Sequence, residues 1–532
     1  MGLLDNIKNY SSLAIEAKEK IKKVYLFDQR PWVIGYSGGK DSSTVVQLVI
    51  NSLLEMKESN IRLNKPVYII SSDTMVETPL VISNIGNTLS LIQNYVDQNN
   101  LPVITQLVKP EIDNTFWVNL IGKGYPVPNQ SFRWCTDRLK IEPSNKFIKD
   151  KISEHGEVIV LLGVREAESA SRAKSIQEHS IEGKYVMKHS SLKNAYTFAP
   201  IKNFSTDDVW NYLLNNPSPW GTDNEELFKM YSDSNSGECP LIIDQETKEK
   251  TGSCGNSRFG CWVCTVVKKD KTLTGFVENG ENWLQPLLSF RNWLYLHRDD
   301  RSMRMNIRAN GSIYTVRIKE KFVKGEKVLV ISSKSGRAGC EIRVIPNQEY
   351  LISSDHKEYI VVAEEHLSEY LEKNSIDLTL AETPNLLIRD SEDHYSMLGL
   401  GPYTFKAREK MLMKLLEIQY NLQNNGRNIT LINNDELKEI RRQWIKKGYI
   451  VDSVSDIYQQ IYGKSLDCES NDSQLLNEGQ YNFLKQICET EKVYIEPLIE
   501  LLQLEKGKQS YKIKKDVSKD ISKILKKDYL HY

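Results

Sequence analysis

The sequence, 532 residues long, predicts an α/β protein built around a doubly wound, parallel sheet. Short apolar runs alternate with segments of helical periodicity in units of roughly 30 residues, which is the pattern of strands joined by crossover helices. Polar motifs follow the ends of these runs, where such a sheet binds its ligands. A cysteine-rich stretch and then a largely helical region come next, and the length favours two or three domains.

The first four strands are expected within 32–36, 66–74, 101–110 and 157–166. Beyond about residue 357 the pattern indicates mainly helices, with a break at 422–435. We divide the chain into an N-terminal helix (1–24), an α/β domain (25–216), a cysteine-rich region (217–310) and a C-terminal region that is first mixed and then helical (311–532).

Composition narrows the class of protein. Hydrophobic residues make up 40% of the chain and charged residues 26%, as is typical of soluble globular proteins. The sequence has no long apolar stretch and no signal-peptide pattern, so we expect a cytoplasmic protein without a membrane partner. The formal net charge is zero, which excludes a polycation, so any contact with nucleic acid must come from local patches or partner proteins.

The stretch IGYSGGKDSSTVV (34–46) predicts a phosphate-binding turn between a strand and a helix. A Walker A loop would need a glycine five residues before Gly39 and a Ser or Thr after Lys40, where Asp41 stands. The turn is therefore unlike a loop for hydrolysis of a γ-phosphate. The residues of this phosphate loop that we expect to contact phosphate are Ser37, Gly38, Gly39, Lys40, Asp41, Ser42 and Ser43.

Further charged residues stand near the predicted strand ends. Basic side chains at these places can bind anionic substrates through charge-assisted hydrogen bonds. They are Arg138, Lys140, Arg165 and Arg172. Asp207 and Asp208 open a predicted helix, so we expect them to cap it rather than to bind a metal.

Five motifs in order resemble the PP-loop ATP pyrophosphatase family, in which ATP is split to AMP and pyrophosphate, and its phosphoadenylyl-sulfate reductase branch. The resemblance covers about residues 25–215 and implies an adenine-nucleotide alpha-hydrolase-like fold. The motifs are SGGKDS (37–42), SSDTMVET (71–78), FRWCTDRLK (132–140), LLGVREAESASRAK (161–174) and FAPIKNFSTDDVWNYL (198–213). The element at 132–140 departs from the branch by one extra residue before its lysine.

The resemblance also implies site residues. ATP would be the substrate, with Mg²⁺ on its phosphates, and Lys40, Asp41 and Arg165 would take part in catalysis. The nucleotide would contact the phosphate loop together with Asp73, Thr74, Glu77, Gly163, Arg165 and Arg172, with Glu77 toward the second substrate.

Four cysteines with the spacing C-x14-C-x6-C-x2-C indicate a metal or iron–sulfur site formed by Cys239, Cys254, Cys261 and Cys264. Spacing alone does not separate zinc from iron, and a redox pair or plain core cysteines are less favoured. The resemblance implies a [4Fe-4S] cluster.

Cys135 is a fifth candidate for sulfur chemistry. Reductases with a cluster have a Cys-Cys pair at this motif, but here the first position is Trp134. Either Cys135 ligates the cluster with Cys239 or Cys254 replacing the missing ligand, or the four downstream cysteines hold it. In the second case, which we favour, Cys135 is free, has thiolate character beside its neighbouring arginines and carries persulfide sulfur as a catalytic residue.

The chain lacks the Glu-Cys-Gly-Leu-His motif of the reductases. Its cysteine-rich insertion and the extension containing GPYTFKAREKMLMKLLEIQ (401–419) resemble the sulfurtransferases of DNA phosphorothioate modification, the DndC type. This implies that ATP adenylates a DNA phosphate and that sulfur from a cysteine desulfurase then displaces AMP. DNA, the desulfurase and other subunits of the phosphorothioation complex would be its partners.

Two other classes of function stay open at this point. One is a PP-loop enzyme for sulfonucleotide reduction or tRNA thiolation, and the other is a non-catalytic ATP-sensing scaffold of a DNA-modifying complex. For DNA contact, the stretch FRNWLYLHRDDRSMRMNIR (290–308) has five arginines interleaved with Trp and Tyr, and the lysine-rich tail could follow a backbone. The same pattern is also typical of a solvated helix face packed on the cysteine-rich region.

Overall fold

The computed structural model forms two compact units. Unit 1 contains residues 1–114 and 133–291, and unit 2 contains 115–132 and 292–532. None of the helices in the described part of the chain is long and apolar enough to span a membrane. The structure describes residues 3–168, 170–179, 185–233, 260–305, 308–309, 315–323, 326–331, 342–343, 350–354, 357–361, 387–389, 395–447, 449, 451–467, 478–508 and 517–526.

A six-stranded sheet in the order β3-β2-β1-β4-β6-β5 forms the centre of unit 1. All neighbouring strands are parallel except β5, which runs antiparallel to β6. The predicted α/β class with a doubly wound, parallel sheet is therefore confirmed. The strands are β1 Trp32–Gly35, β2 Val67–Ser72, β3 Val103–Val108, β4 Val158–Leu161, β5 Val186–Lys188 and β6 Ala195–Phe198.

Helices follow the strands in the expected alternation. The helices up to the cysteine-rich region are α1 Leu3–Phe27, α2 Lys40–Glu58, α3 Pro79–Gln98, α4 Trp134–Thr136, α5 Glu142–His155, α6 Ala170–His179, α7 Thr206–Asn215 and α8 Asn224–Asp233. They are followed by α9 Lys271–Glu278 and α10 Gln285–Leu296. A π-helical turn, Asp137–Ile141, connects α4 to α5.

The core of unit 1 explains why β1 stands in the middle of the sheet. Val33 on one face of this strand and Trp32 and Ile34 on the other are fully buried, as a strand covered on both faces requires. Val49 of α2 and Ile21 of α1 belong to the same apolar cluster. Burial of this continuous apolar surface fixes the start of α2 directly behind the end of β1.

Unit 2 holds a five-stranded antiparallel sheet in the order β12-β13-β7-β8-β9 and a separate hairpin of β10 and β11. The strands are β7 Thr315–Val323, β8 Glu326–Ile331, β9 Ile342–Arg343, β10 Tyr350–Ser354, β11 Lys357–Val361, β12 Leu387–Arg389 and β13 Tyr395–Leu398. Its helices are α11 Phe405–Asn424, α12 Asn434–Lys446, α13 Ser453–Tyr462, α14 Glu478–Thr490, α15 Ile495–Lys508 and α16 Val517–Leu525, with a π-helical turn at Val118–Gly122.

Three described strands lie from residue 357 onward, where the sequence pattern indicates mainly helices: Lys357–Val361, Leu387–Arg389 and Tyr395–Leu398. From Phe405 onward the described elements are helices, and residues 362–386 and 390–394 lie outside the described part of the chain. The break predicted at 422–435 is confirmed, because one helix ends at Asn424 and the next begins at Asn434.

Two buried indole groups tie the inserted segment 115–132 to the helices of unit 2. The Nε1–H of Trp117 donates to the carbonyl oxygen of Leu431 at 2.7 Å. In the opposite direction, the Nε1–H of Trp444 donates to the carbonyl oxygen of Ile121 at 2.8 Å. Both tryptophans are fully buried, so each hydrogen bond satisfies a polar atom that would otherwise be costly to bury.

Candidate active site

The phosphate loop leads into the N-terminus of α2, where no side chain of the cap residue covers the first backbone N–H groups. Gly39 precedes α2 without a side-chain cap, so the cap residue leaves the first backbone N–H groups of the helix for other acceptors. The hydroxyl of Ser42 accepts the N–H of Ser37 at 3.2 Å and donates to the carbonyl oxygen of Gly39 at 2.9 Å, which holds the turn closed. Gly38 has a φ of 72°, a left-handed conformation that favours glycine.

Asp41 joins two buried cations. Its carboxylate accepts the Nε–H of Arg165 at 2.6 Å and lies 3.3 Å from the ammonium of Lys40. Lys40 is 5% exposed and Arg165 only 1%, so both charges depend on this carboxylate. A further hydrogen bond runs from Arg165 to the hydroxyl of Thr206 at 3.3 Å. The phosphate loop and the segment after β4 are therefore joined by charge.

Gly163 brings the segment after β4 against the phosphate loop. A Cβ atom at this position would lie 2.8 Å from the carbonyl carbon and oxygen of Asp41, a distance at which the backbone must shift. The contact explains why the motif needs glycine here. Arg172, from the same motif, lies in α6, but its side chain is outside the described part of the structure.

The segment after β2 contains two further residues of the candidate site, Asp73 and Thr74. The Asp73 carboxylate accepts the N–H of Met75 at 2.8 Å and lies 3.4 Å from the ammonium of Lys109. Asp73 and Thr74 are both buried. Because β1 and β2 are parallel neighbours, this segment and the phosphate loop begin at the same edge of the sheet.

The Cys-x-x-Cys turn is fastened to this same segment. Glu77 and Cys261 form an antiparallel β-bridge, and the N–H of Trp262 donates to the carbonyl oxygen of Val76 at 3.0 Å. The Thr74 hydroxyl lies 3.3 Å from the sulfur of Cys261. Along residues 73–78, the residues expected to contact the nucleotide, Asp73 and Thr74, are therefore adjacent to Cys261, a predicted metal ligand.

Lys140 places a positive charge near the Cys-x-x-Cys turn. Its ammonium lies 3.2 Å from Glu77 Oε1, which is in turn 4.0 Å from the sulfur of Cys261. Burial opposes the charge, but the charges of Cys261, Glu77 and Cys135 outweigh it and raise the pKa of Lys140. Burial raises the pKa of the Cys261 thiol, Glu77 adds to this, and Lys140 opposes it.

Cys135 shares this environment, but not as the sequence suggested. Burial raises the pKa of its thiol, and the neighbouring Cys264 raises it further. These effects do not support a thiolate stabilised by flanking arginines, which stays a prediction from the sequence. Arg133 is exposed, and Arg138 donates to the side chain of Asn114 at 2.5 Å instead.

Cys261, Cys264 and Cys135 are thus the described members of the predicted sulfur set. Cys239 and Cys254, the other two predicted metal ligands, lie outside the described residues. Within the described part of the chain, no group of three or more His, Cys, Asp or Glu side chains is arranged to hold a metal ion. Cys261 and Cys264 share one turn and Cys135 interacts electrostatically with Cys264, and sulfur ligands of this type suit an iron–sulfur cluster.

Arg291 stabilises the Cys-x-x-Cys turn and the residues that follow it through hydrogen bonds to their carbonyl oxygens. The sequence did not indicate these hydrogen bonds. This fully buried guanidinium donates to the carbonyl oxygens of Cys264 at 2.8 Å and Lys268 at 2.9 Å, and also to that of Val267. The sequence leaves two functions open for the arginine-rich stretch 290–308, DNA contact and packing on the cysteine-rich region, and Arg291 is buried in contacts of the second kind.

The helix cap of the last motif agrees with the sequence. Ser205 begins α7, and its hydroxyl accepts the N–H of Asp208 at 3.1 Å. The Asp208 carboxylate accepts the N–H of Ser205 at 2.8 Å in return, which completes a capping box. The prediction that Asp208 takes part in capping this helix is confirmed, whereas Asp207, for which the same role was predicted, is not part of the capping box.

Comparisons with known proteins show what this chain is similar to. Residues 31–266 match the model of the phosphoadenosine phosphosulfate reductase domain. An uncharacterized protein of Methanocaldococcus jannaschii is 25% identical over 286 residues, which cover 53% of this chain and 45% of that protein. The chain therefore spans less than half the length of that relative.

Two solved structures show weaker similarity. The phosphoadenylyl-sulfate reductase of Candida auris, in a phosphate complex, has 16% identity over 43% of this chain and 91% of its own, with a TM-score of 0.26. The U34-tRNA thiolase of Methanococcus maripaludis, with its [4Fe-4S] cluster, has 12% identity over 54% of this chain and 81% of its own, with a TM-score of 0.25. Residues 31–266 of this chain are therefore similar to the phosphoadenosine phosphosulfate reductase domain.

Proposed function

We propose that the protein is an ATP-dependent sulfurtransferase that replaces a non-bridging oxygen of a DNA phosphate with sulfur. The observation that carries this proposal is the shared segment 73–78. Asp73 and Thr74, which the family resemblance assigns to the nucleotide, stand next to Glu77 and the docked Cys261. An enzyme that couples nucleotide cleavage to sulfur chemistry needs these two groups of residues in one place.

The first step uses ATP as the substrate, with Mg²⁺ on its phosphates. A DNA phosphate oxygen attacks the α-phosphorus, the bond from this phosphorus to the bridging oxygen breaks, and pyrophosphate leaves with the electron pair. The first N–H groups of α2 and the ammonium of Lys40 would stabilise the departing charge. Asp41 would keep Lys40 and Arg165 in position, since it pairs with both.

The second step needs a sulfur nucleophile. Sulfur attacks the adenylated DNA phosphorus, and AMP leaves with the oxygen that it gained from the DNA. Adenylation is required because a bare phosphate oxygen is a very poor leaving group. A cysteine desulfurase would supply the sulfur as a persulfide, and a dithiol reductant, which becomes a disulfide, would give the two electrons that release it as the hydrosulfide nucleophile. A [4Fe-4S] cluster, held by cysteines of this chain, would supply a binding site for that sulfide.

For the cluster, we propose Cys135, Cys261 and Cys264 as ligands, together with Cys239 or Cys254. Burial and the neighbouring Cys264 both raise the pKa of Cys135, which does not favour a separate, activated thiolate. Its interaction with Cys264 supports the first of the two arrangements considered from the sequence. Lys140 would then balance part of the negative charge that the thiolates bring.

A basic and aromatic surface in unit 2 supports nucleic acid as the substrate. The ammonium groups of Lys410 and Lys414 lie 5.7 and 5.4 Å from the ring centre of Trp293. Neither has a carboxylate partner among the described residues. Arg304, in contrast, is buried and donates to the carbonyl oxygen of Gly401 at 2.7 Å, so it stabilises the fold of unit 2.

The proposal predicts that Lys40→Ala reduces the phosphorothioate content of cellular DNA by about 100-fold or more. Loss of one charge-stabilising group from a transition state costs about 2.7–4 kcal/mol. The measurement is nuclease digestion and mass spectrometry of DNA from cells that express each variant. Lys57→Ala, an exposed lysine near the end of the same helix, should leave the content unchanged.

The same proposal predicts pyrophosphate release that DNA stimulates in the purified protein. Stimulation by tRNA or by a sulfonucleotide instead would favour one of the other PP-loop functions. Unchanged phosphorothioate in the Lys40→Ala strain would contradict catalysis at this site and favour an ATP-sensing scaffold.

Cys261→Ser should remove most of the iron and acid-labile sulfide from anaerobically purified protein, because it deletes a thiolate ligand. Iron, zinc and sulfide contents and the visible absorbance spectrum measure this. Cys488→Ser, a buried cysteine in unit 2, is the matched control and should keep full metal content. Full iron content in Cys261→Ser would exclude this residue as a ligand.

Gly163→Ala should weaken pyrophosphate binding at least 10-fold. The new methyl group meets the backbone of Asp41 at 2.8 Å, and displacement of a binding group by about 1 Å can cost about 100-fold. Isothermal titration calorimetry with inorganic pyrophosphate measures the change. Gly86→Ala in α3 is the control, because its methyl group would meet no atom within 4 Å. Equal affinities of the two variants would show that the Gly163 contact does not shape the site.

A further inference from the structure

A tyrosine from α8 lies on the phosphate loop. The hydroxyl oxygen of Tyr231 is 3.3 Å from the backbone nitrogen of Lys40 and accepts its N–H. The same oxygen would be 2.9 Å from a Cβ atom at Gly39, so the hydroxyl packs directly on this glycine. The ammonium of Lys40 is 5.2 Å from the centre of the Tyr231 ring. Tyr231 therefore contacts the first backbone donor of α2 and the charged side chain of the same residue.

Aromatic packing holds this tyrosine in place. Trp210, which is 2% exposed, packs edge-on against Tyr231 with ring centres 5.2 Å apart and an angle of 80° between the planes. It packs in the same way against Phe228, one turn earlier in α8, at 5.2 Å and 83°. Trp210 belongs to the motif that closes the PP-loop domain, so this motif gives Tyr231 a defined position.

The Tyr231 hydroxyl accepts a backbone N–H that a phosphate oxygen could also accept. The N–H groups at a helix start are the donors that bind phosphate oxygens. A tyrosine hydroxyl oxygen can accept the same hydrogen bond without carrying a charge. The N–H of Lys40 cannot serve the tyrosine and an incoming phosphate fully at the same time.

We propose that the Tyr231 hydroxyl occupies the place of a pyrophosphate oxygen at the start of α2, so that nucleotide or pyrophosphate binding displaces it. This inference rests on the proposed use of ATP at the loop. Tyr231 is then a positioning residue that satisfies the Lys40 amide between turnovers and competes with pyrophosphate for it. A competitor of this kind lowers the affinity for the product and favours its release.

The substitution Tyr231→Phe tests this, because it deletes the hydroxyl and keeps the ring that packs on Trp210. Pyrophosphate and α,β-methylene-ATP should bind the full-length variant about 2- to 10-fold more tightly, the net contribution of one hydrogen bond. Tyr212→Phe is the matched control: Tyr212 is buried in α7, and its hydroxyl accepts from Asn51 at 3.4 Å. Tyr212→Phe should bind both ligands as the wild type does.

Equal or weaker binding by Tyr231→Phe would overturn the inference, and weaker binding would make Tyr231 a direct phosphate ligand. Tyr231→Leu also lacks the hydroxyl and must change affinity in the same direction. A wild-type chain that binds neither ligand would contradict the proposed function itself. Wild-type binding with no effect of Tyr231→Phe would contradict only the role of Tyr231.

A second background separates competition from a general effect on packing. In Gly39→Ala, the methyl group already excludes the Tyr231 hydroxyl from the loop. The gain from Tyr231→Phe should therefore disappear in the Gly39→Ala background, as a double-mutant cycle measures. The same gain in both backgrounds would show that the gain does not come from the hydroxyl on the loop.

Discussion

The site depends on the ion pairs that the carboxylate of Asp41 forms with Arg165 and Lys40. This carboxylate pairs at 2.6 Å with Arg165 and at 3.3 Å with Lys40, two cations that are almost completely buried. Buried charges of this kind destabilise a fold unless a partner of opposite sign is held in good geometry. Asp41 therefore fixes the phosphate loop to the segment after β4, and the close contact at Gly163 follows from it. An aspartate that would obstruct a Walker A loop is thus required in this one.

The sulfur side of the site is organised around a second carboxylate. Glu77 contacts Lys140 and the thiol of Cys261, while its backbone pairs with the Cys-x-x-Cys turn. One oxygen of Glu77 is buried without a hydrogen-bond partner among the residues that the structure describes. This oxygen can accept a hydrogen bond beside the thiols, and the ammonium of Lys140 offsets the negative charge of the buried carboxylate. The segment after β2 is therefore the structural link between nucleotide cleavage and sulfur delivery in the proposed mechanism.

Local patterns predicted the elements, and tertiary contacts determined what the sequence did not predict. The parallel strands and the helix start at Lys40 follow from apolar runs and turn residues, and the cap at Asp208 follows from residue type. The partner of Asp41 is distant in sequence and was not predictable from spacing. Composition does not distinguish a solvated arginine from one that binds buried carbonyl groups, which is why the sequence left the role of the stretch containing Arg291 open. The contact of Tyr231 has no sequence signal, because it depends on how α8 packs against Trp210.

The central claim is that ATP activates a DNA phosphate before sulfur enters. Its direct test uses DNA with ¹⁸O in the non-bridging phosphate oxygens, incubated with the protein, ATP and a sulfur donor in unlabelled water. The proposed chemistry predicts that the released AMP carries one ¹⁸O atom taken from the DNA and that the phosphorothioate keeps the other. AMP without ¹⁸O, formed together with pyrophosphate, would show that water accepts the adenylyl group and would contradict the mechanism.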